Sequence, residues 1–287
     1  MSIVEAYNDF LKQLKSIYDD READNIADWV FENVTQLKRW ERRGNLKSIT
    51  PEQELKLNKY LRELVLHKPV QYVLNEAWFY KLKFFVNEHV LIPRPETEEL
   101  VSWMINDVRS VMYDVRCEEP QILDIGTGSG CIAISLKKEL KDAIVTSIDI
   151  SEQALYVAGK NAGDLHAEIE LKQIDFLDEN EWKQLSKYDI IVSNPPYIPK
   201  SEKEHLSTNV TAFEPGLALF ADDNDPAIFY KKIAKFSQSH LKKQGNIYVE
   251  VHEEKAEEVK KIFVENRFTI EIRKDIYGKE RMIGATR

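Results

Sequence analysis

The 287-residue sequence is poor in cysteine, glycine and proline, and it contains no long apolar run. Two cysteines, Cys117 and Cys131, are too few for a disulfide framework or, by themselves, for a zinc site, which predicts a reducing compartment. Ten glycines and ten prolines exclude a collagen-like or linker-rich chain. No stretch approaches the ~20 apolar residues of a membrane span, and the first residues lack a basic start followed by an apolar run. We therefore expect a cytoplasmic protein with no membrane partner.

Positive charge is also scarce, with 40 basic against 49 acidic residues and a net charge of −9. Residues 1–75 contain seven lysines, five arginines and twelve acidic residues, so the whole acid excess lies in residues 76–287. Tight binding to a phosphate backbone needs a basic footprint, so this balance argues against direct nucleic-acid binding. One basic cluster, Lys38–Arg43, is either a solvated helix end or a docking site for an anionic partner such as RNA. The first interpretation is favoured because such clusters are common on helices.

Residue composition and the spacing of apolar side chains divide the chain into three parts. Residues 1–75 have apolar side chains at helical spacing, and Thr50 followed by Pro51 is typical of a helix start, which predicts a small helical domain. Residues 76–93 are dense in aromatic and β-branched side chains and predict a linking β-hairpin with Asn87–Glu88 at its turn. Pro93 and Pro95 then make a stiff loop, and Thr97 or a neighbour can cap the helix that follows.

Strands and helices alternate within residues 94–287. This order predicts an α/β fold, a Rossmann-like sheet of seven strands with helices on both faces. The link between the last two strands, residues 273–280, is too short for a helical crossover. These strands should form a hairpin, which leaves one strand antiparallel to the others.

A glycine-rich loop follows the first strand of this sheet and opens a helix. Glycines allow a tight turn and close approach to a ligand, and the helix N-terminus offers free amides. Asp149 ends the second strand, where an acidic side chain can bind both ribose hydroxyls of a nucleoside. The Gly-x-Gly-x-Gly spacing differs from that of nicotinamide-binding loops. The candidate loop residues are Gly126, Thr127, Gly128, Ser129 and Gly130.

The sequence Asn194-Pro195-Pro196-Tyr197 follows the fourth strand, at the same edge of the sheet as the glycine loop. An asparagine amide and stiffly held proline carbonyls suit an NH2 group conjugated to a carbonyl or an aromatic ring, and Tyr197 offers a flat face for stacking. Acceptors on both N–H bonds would stabilise the charge that builds on the nitrogen during attack. After the third strand, Asp175 could accept from an adenine amine and Phe176 could cover the ring. The six histidines show no metal-ligand spacing, so no metal is expected.

These motifs resemble those of class I S-adenosylmethionine-dependent methyltransferases that modify NH2 nitrogens. The run Leu91–Glu98 is similar to that of the HemK/PrmC family, the glutamine methyltransferases of peptide-chain release factors. Residues 67–72, 213–219 and 275–281 also look like segments of this family, so the resemblance covers most of the chain.

The resemblance implies a role for each candidate residue. Gly126–Gly130 and Asp149 would hold the methionine end and ribose of S-adenosylmethionine, and Asp175 and Phe176 would border its adenine. Asn194–Tyr197 would grip the glutamine of the Gly-Gly-Gln motif in class I release factors, with Asn194 also bordering the cofactor. Arg94 is assigned to substrate binding, and the helical domain would help to dock the release factor.

Several alternatives stay open at this point. Asn-Pro-Pro-Tyr also serves enzymes that methylate amino groups of DNA bases, although these must neutralise phosphates, which the acidic balance disfavours. A ribosomal-protein glutamine is a closer alternative, but the run after Pro93-Arg94 favours release factors. A non-enzymatic scaffold would predict damage at Asn194 or in the glycine loop, and neither is damaged.

Overall fold

The structure is a computed structural model that describes residues 1–42, 44–45, 47–114, 119–205 and 207–287. Arg43 of the basic cluster and Cys117 lie outside the described residues. The chain forms two compact units. One comprises Met1–Glu76 and Ser207–Phe213, and the other comprises Ala77–Leu206 and Glu214–Arg287. The sequence boundaries at 75 and 93 do not anticipate that Ser207–Phe213 groups with the first unit.

Six helices build the first unit within the described residues: α1 (Ile3–Leu14), α2 (Asp20–Thr35), α3 (Arg39–Arg42), α4 (Pro51–Leu64), α5 (Val70–Leu74) and, from the later segment, α9 (Thr208–Phe213). Ser2 with Glu5 and Thr50 with Gln53 form capping boxes at the starts of α1 and α4, as the Thr50-Pro51 signal predicts for α4. Phe31 at the centre of this unit is fully buried and makes edge-to-face contacts with Tyr7 and Phe10.

The basic cluster is not simply a solvated helix end. Arg42 is 5% exposed, pairs with Asp28, donates to the carbonyl of Leu37 at 3.0 Å and lies over the ring of Tyr7. Arg39 also bonds Asp28, at 3.1 Å. Both cations therefore pair with Asp28 of their own unit, Arg42 from a buried position and Arg39 from a side chain that is 60% exposed.

The second unit begins with a β-hairpin whose turn was placed wrongly by the sequence prediction. Strands β1 (Ala77–Phe79) and β2 (Leu82–Phe84) are joined by Tyr80 and Lys81, both with positive φ, and not by Asn87–Glu88. Two-residue hairpin turns prefer Asn-Gly or Asp-Gly, so Tyr-Lys carries no turn signal. Asn87 instead forms a separate turn, accepting from the backbone amide of His89 at 3.1 Å.

The seven-stranded sheet of the second unit confirms the predicted fold class. Its strands lie in the order β10, β11, β9, β6, β3, β4, β5, and β11 alone runs opposite to the other six. A separate two-stranded pair comprises β7 and β8. The elements of this unit after the hairpin are α6 (Pro95–Asp114), β3 (Gln121–Ile125), α7 (Cys131–Glu139), β4 (Ile144–Asp149), α8 (Glu152–Asp164), β5 (Glu170–Gln173), β6 (Tyr188–Ser193), β7 (Ile198–Pro199), α10 (Gly216–Leu219), β8 (Phe220–Ala221), α11 (Ile228–His240), β9 (Leu241–Glu250), α12 (Ala256–Glu265), β10 (Thr269–Lys274) and β11 (Glu280–Thr286).

Helices cover both faces of the sheet, as β9 illustrates. Ile247 and Val249 point into a core shared with α11 and α12, whereas Tyr248 points to the opposite face. There its ring meets Trp103 of α6 edge to face, and its hydroxyl donates to Asp107 at 2.7 Å. The sheet is therefore a buried middle layer, and its accessible chemistry lies at the strand ends. Among the described residues, no helix is long and apolar enough to cross a membrane.

Candidate active site

A cavity of about 300 Å³ opens where β3, β4 and β6 end at their carboxyl termini. These three strands are neighbours in the sheet, so the loops that follow them meet at one edge. The start of the Asn-Pro-Pro-Tyr segment, Asp149 and residues 126–129 of the glycine loop line this cavity. Gly130 is not among the described residues that do. Its volume lies at the lower end of the range for small-molecule sites.

The glycine loop adopts a backbone that only glycine takes easily. Gly126, Gly128 and Gly130 all have positive φ, of 75°, 54° and 80°. A Cβ at Gly126 or Gly128 would meet no protein atom within 4 Å, so these two glycines leave open space beside the loop. Gly130 precedes α7 and is closely packed, since a Cβ there would lie 3.0 Å from Ile134. The loop is thus packed against protein at Gly130 and leaves open space beside Gly126 and Gly128.

Asp124, which begins the glycine motif, is fully buried on β3. The hydroxyl of Thr127 donates to its Oδ2 at 2.7 Å, and this bond closes the loop onto the strand. Burial raises the pKa of Asp124 to about 7, the hydroxyl of Thr127 opposes that rise, and the charge of Asp149 adds to it. Asp124 is not one of the described residues lining the cavity, so it acts on the loop rather than on a ligand.

Asp149 lies at the end of β4 and faces the cavity. Its Oδ2 accepts from the amide of Gly128 at 2.9 Å, and its Oδ1 accepts from the amide of Ser151 at 2.9 Å. Each carboxylate oxygen keeps a second acceptor position, so the side chain is held in place and can still accept from two hydroxyl groups. Burial raises the pKa of Asp149, and these amide hydrogen bonds oppose the rise.

Asp175 and Phe176 line the cavity beside the end of β5. Oδ1 of Asp175 accepts from the amide of Leu177 at 2.9 Å, and the amide of Asp175 donates to Glu181 at 2.7 Å. Phe176 is 4% exposed and stacks on Trp182 with ring centroids 5.6 Å apart. Its ring is thus part of the core and also borders the cavity, where it presents an apolar wall.

The Asn-Pro-Pro-Tyr segment divides between the cavity and the core. Asn194, Pro195 and Pro196 line the cavity, and Tyr197 is not one of the described residues that do. The ring of Tyr197 packs against the core on the α11 side, and its hydroxyl donates to Glu250 at 3.3 Å. Burial raises the pKa of this phenol, so it remains a donor at neutral pH. Tyr197 is partly buried, and its role in stacking on a substrate stays a prediction.

Two further residues belong to this site and were missed by the sequence analysis. Asn194 Nδ2 donates to the hydroxyl of Thr97 at 3.2 Å, and that hydroxyl donates to Oε2 of Glu250 at 2.6 Å. The structure begins α6 at Pro95, so the expected capping role of Thr97 is wrong, and its side chain bridges two strand ends instead. No short-range pattern could reveal this, because Thr97 and Glu250 are 153 residues apart.

Arg94 lines the cavity, and its side chain is held by Glu214. It donates to Oε1 of Glu214 at 2.6 Å, and the amide of Ile92 donates to the other oxygen at 3.3 Å. The side chain of Glu214 is 1% exposed, so removing Arg94 would leave a buried charge without its partner. Hydrogen bonds to Glu214 thus join the segment around Arg94 to the segment around Glu214 beside the cavity.

The residues present fit S-adenosylmethionine. Open space beside Gly126 and Gly128 admits close approach of the methionine part, the two free acceptor positions of Asp149 suit a ribose diol, and the apolar wall at Phe176 suits a purine. The adjacent Asn194 places an amide at the end of the same cavity.

Comparison with known proteins agrees with this geometry. Residues 109–213 match the family model described as methyltransferase small domain. The chain is 40% identical to the release factor glutamine methyltransferase of Flavobacterium psychrophilum, over 96% of this chain and 95% of that protein. It is 38% identical to the protein of the same name from Lactococcus lactis, over 96% and 98% of the two chains. The chain belongs to the release factor glutamine methyltransferase family and is an S-adenosylmethionine-dependent enzyme.

Proposed function

We propose that this protein methylates the side-chain amide nitrogen of the glutamine in the Gly-Gly-Gln motif of class I release factors. The observation that carries the proposal is the placement of Asn194 and Pro195 at the same cavity as the glycine loop and Asp149. Family membership supports the choice of a release factor as the acceptor.

An amide nitrogen is a poor nucleophile because its lone pair is delocalised into the carbonyl. Oδ1 of Asn194 and the carbonyl of Pro195 are acceptors that suit the two N–H bonds of a glutamine amide. Accepting from both bonds raises electron density on the nitrogen and stabilises the positive charge that develops on it. No general base is needed during attack, since the proton can leave after the transfer.

S-Adenosylmethionine supplies an electrophilic methyl group on a sulfonium, whose leaving group becomes neutral. The protein's own contribution is to hold and orient both reactants. Gly126–Gly130 and Asp149 hold the cofactor, with Asp175 and Phe176 beside the adenine. Asn194 and Pro195 orient the amide at the same cavity.

The surrounding features have supporting roles in this proposal. Arg94 lies at the cavity, where Glu214 holds its side chain, and we assign it to substrate binding. Residues 1–75, which are neutral overall, help to dock the release factor. The acid excess of the remaining chain disfavours direct binding to nucleic acid. Because the substrate acts in translation, we place the protein in the cytoplasm.

Incubation with methyl-labelled S-adenosylmethionine and three separate acceptors tests the proposal. These are a purified class I release factor, a ribosomal-protein preparation and DNA. We expect label on the release factor, and none on a release factor whose Gly-Gly-Gln glutamine is replaced by alanine. Label on the ribosomal protein alone, or on DNA alone, would contradict the proposed acceptor.

A further inference from the structure

Glu250 is a buried carboxylate beside the site that the proposed chemistry does not use. It ends β9 and is 2% exposed. The hydroxyls of Thr97 and Tyr197 donate to its two oxygens, at 2.6 and 3.3 Å, and the hydroxyl of Tyr230 donates to its backbone carbonyl at 3.0 Å. Two side chains thus hold the carboxylate and a third holds the backbone of the same residue, so the position of Glu250 is fixed.

The hydrogen bonds between Glu250 and Asn194 run in one direction in the structure. Oε2 of Glu250 accepts the single proton of the Thr97 hydroxyl, which commits that proton to Glu250. The Thr97 oxygen can then only accept from Asn194, which must turn its NH2 group towards Thr97. Oδ1 of Asn194 is left as the free end of the amide.

We propose that Glu250 and Thr97 are positioning residues that set the orientation of the Asn194 amide, so that an oxygen and not an NH2 group receives the substrate N–H. This inference rests on the proposed function, because the direction matters only if the substrate is a hydrogen-bond donor. An asparagine amide has two nearly isosteric orientations, and only the one with oxygen outward accepts from a substrate NH2 group.

The surroundings of Glu250 fit this role. Burial raises the pKa of Glu250, while the Thr97 hydrogen bond, the charge of Arg281 and the Tyr197 hydrogen bond oppose that rise and favour the ionised form. Arg281 is itself half-buried and bonded to the carbonyl of Val251, next to Glu250, at 3.4 Å. Of these three neighbours, Thr97 lines the cavity, whereas Tyr197 and Arg281 are not among the described residues that do.

If the Thr97–Glu250 hydrogen bond only joined α6 to β9, it would not matter which of the two groups donates. Glutamine at position 250 has the same shape and can also bond Thr97, but its NH2 group can donate to the threonine oxygen. The threonine proton would then be free to point towards Asn194 and admit the reversed amide. Glu250→Gln thus separates orientation from packing.

The test measures single-turnover methyl transfer to the release factor together with the dissociation constant of S-adenosylmethionine. We expect Glu250→Gln and Thr97→Val to slow transfer by about tenfold to a hundredfold, with cofactor affinity within threefold of wild type. Thr97→Ser keeps the hydroxyl and should restore most of the rate. Thr146→Val is the matched control, since buried Thr146 donates to Glu170 at 2.9 Å on β4, away from Asn194, and should leave the rate unchanged.

A double-mutant cycle completes the test. If Thr97 acts through Asn194, adding Thr97→Val to Asn194→Ala should cost little further rate. Full additivity of the two losses, or a wild-type rate in Glu250→Gln, would overturn the inference. Failure of the wild-type protein to label the release factor would instead contradict the proposed function, so the two failures are distinguishable.

Discussion

At the scale of single residues, the proposed roles assign different groups to the cofactor and to the acceptor. Asp149 is bonded to the amides of Gly128 and Ser151, and Asn194 is bonded to Thr97. Because the two side chains have no partner in common among these contacts, substitutions at each should affect different kinetic constants.

Asn194→Ala should lower methyl transfer by at least a hundredfold and leave the dissociation constant of S-adenosylmethionine within about threefold of wild type. The reason is that the substrate amide loses one acceptor that stabilises its developing charge. Single-turnover transfer and equilibrium binding measure the two quantities. Asn180→Ala, at an exposed asparagine, should change neither. Unchanged turnover in Asn194→Ala would refute its role.

Asp149→Ala should raise the dissociation constant of S-adenosylmethionine by about tenfold to a hundredfold, since a charge-assisted hydrogen bond contributes about 1.5–3 kcal/mol. Turnover at saturating cofactor should be less affected. Asp189→Ala offers a comparison, because Asp189 lies on β6 and bonds the amide of Gln121 and Lys242 rather than lining the cavity. An unaltered binding constant in Asp149→Ala would exclude ribose binding by this residue.

Asp124 predicts a pH-dependent stability. Its pKa is raised from the ordinary 3.8 to about 7 by burial, so between these values the unfolded chain loses the proton while the folded chain keeps it. The unfolded state binds fewer protons there, and this residue lowers the free energy of unfolding as pH rises. In Asp124→Asn that contribution is absent. Urea unfolding at pH 5 and pH 8 should show a smaller loss of stability for the variant than for wild type, and equal losses would contradict the assignment.

At the scale of elements, Gly130 joins the glycine loop to α7 and packs that helix against α8. Gly130→Ala places a Cβ 3.0 Å from Ile134 and 3.2 Å from Ala158, at φ of 80°. The backbone strain costs about 1–2 kcal/mol and the overpacking about 1–3 kcal/mol more. Gly278→Ala has nearly the same φ, 79°, but open space around the new Cβ, so it should show the strain alone. Urea unfolding measures both, and equal losses would argue against the packing contribution.

The same scale shows what a sequence can predict. The strands β3, β4 and β6 are short apolar runs, so their existence and parallel order follow from local patterns and the chain's alternation. The glycine loop, Asp149 and Asn194 could be placed together because parallel strands end at one edge. The hairpin turn at Tyr80–Lys81 could not, because its residues lack the usual turn chemistry.

Contacts between segments that are distant in the sequence could not be predicted from local patterns either. Thr97 has the residue type of a helix cap, and only its position beside Glu250 and Asn194 gives it another role. Arg42 belongs to an apparently exposed basic run, yet it is buried against Asp28. In both cases the deciding partner lies outside the local window, and polar side chains carry no periodicity that reveals burial.

At the scale of the whole molecule, the helical unit and the sheet unit each have a separate core. Phe31, fully buried in the first, belongs to a cluster built from α1, α2, α4 and α5. Phe263, fully buried in the second, belongs to a cluster that also includes Phe176 at the cavity. Every described residue that lines the cavity we assign to the cofactor belongs to the sheet unit. Cofactor binding should therefore stabilise that unit.

Phe31→Ala and Phe263→Ala form a matched pair that tests this division, since each removes a fully buried ring and should destabilise its own unit by about 3–5 kcal/mol. Hydrogen exchange with and without S-adenosylmethionine follows both units separately. Cofactor should restore protection in β3 and β9 of Phe263→Ala by mass action, and should do little for α2 and α4 of Phe31→Ala. Phe31→Ala should bind S-adenosylmethionine as wild type does, because none of its core side chains lines the cavity. Equal recovery of α2 protection on cofactor binding would mean that the two cores unfold as one, and the cofactor site would then depend on the helical unit.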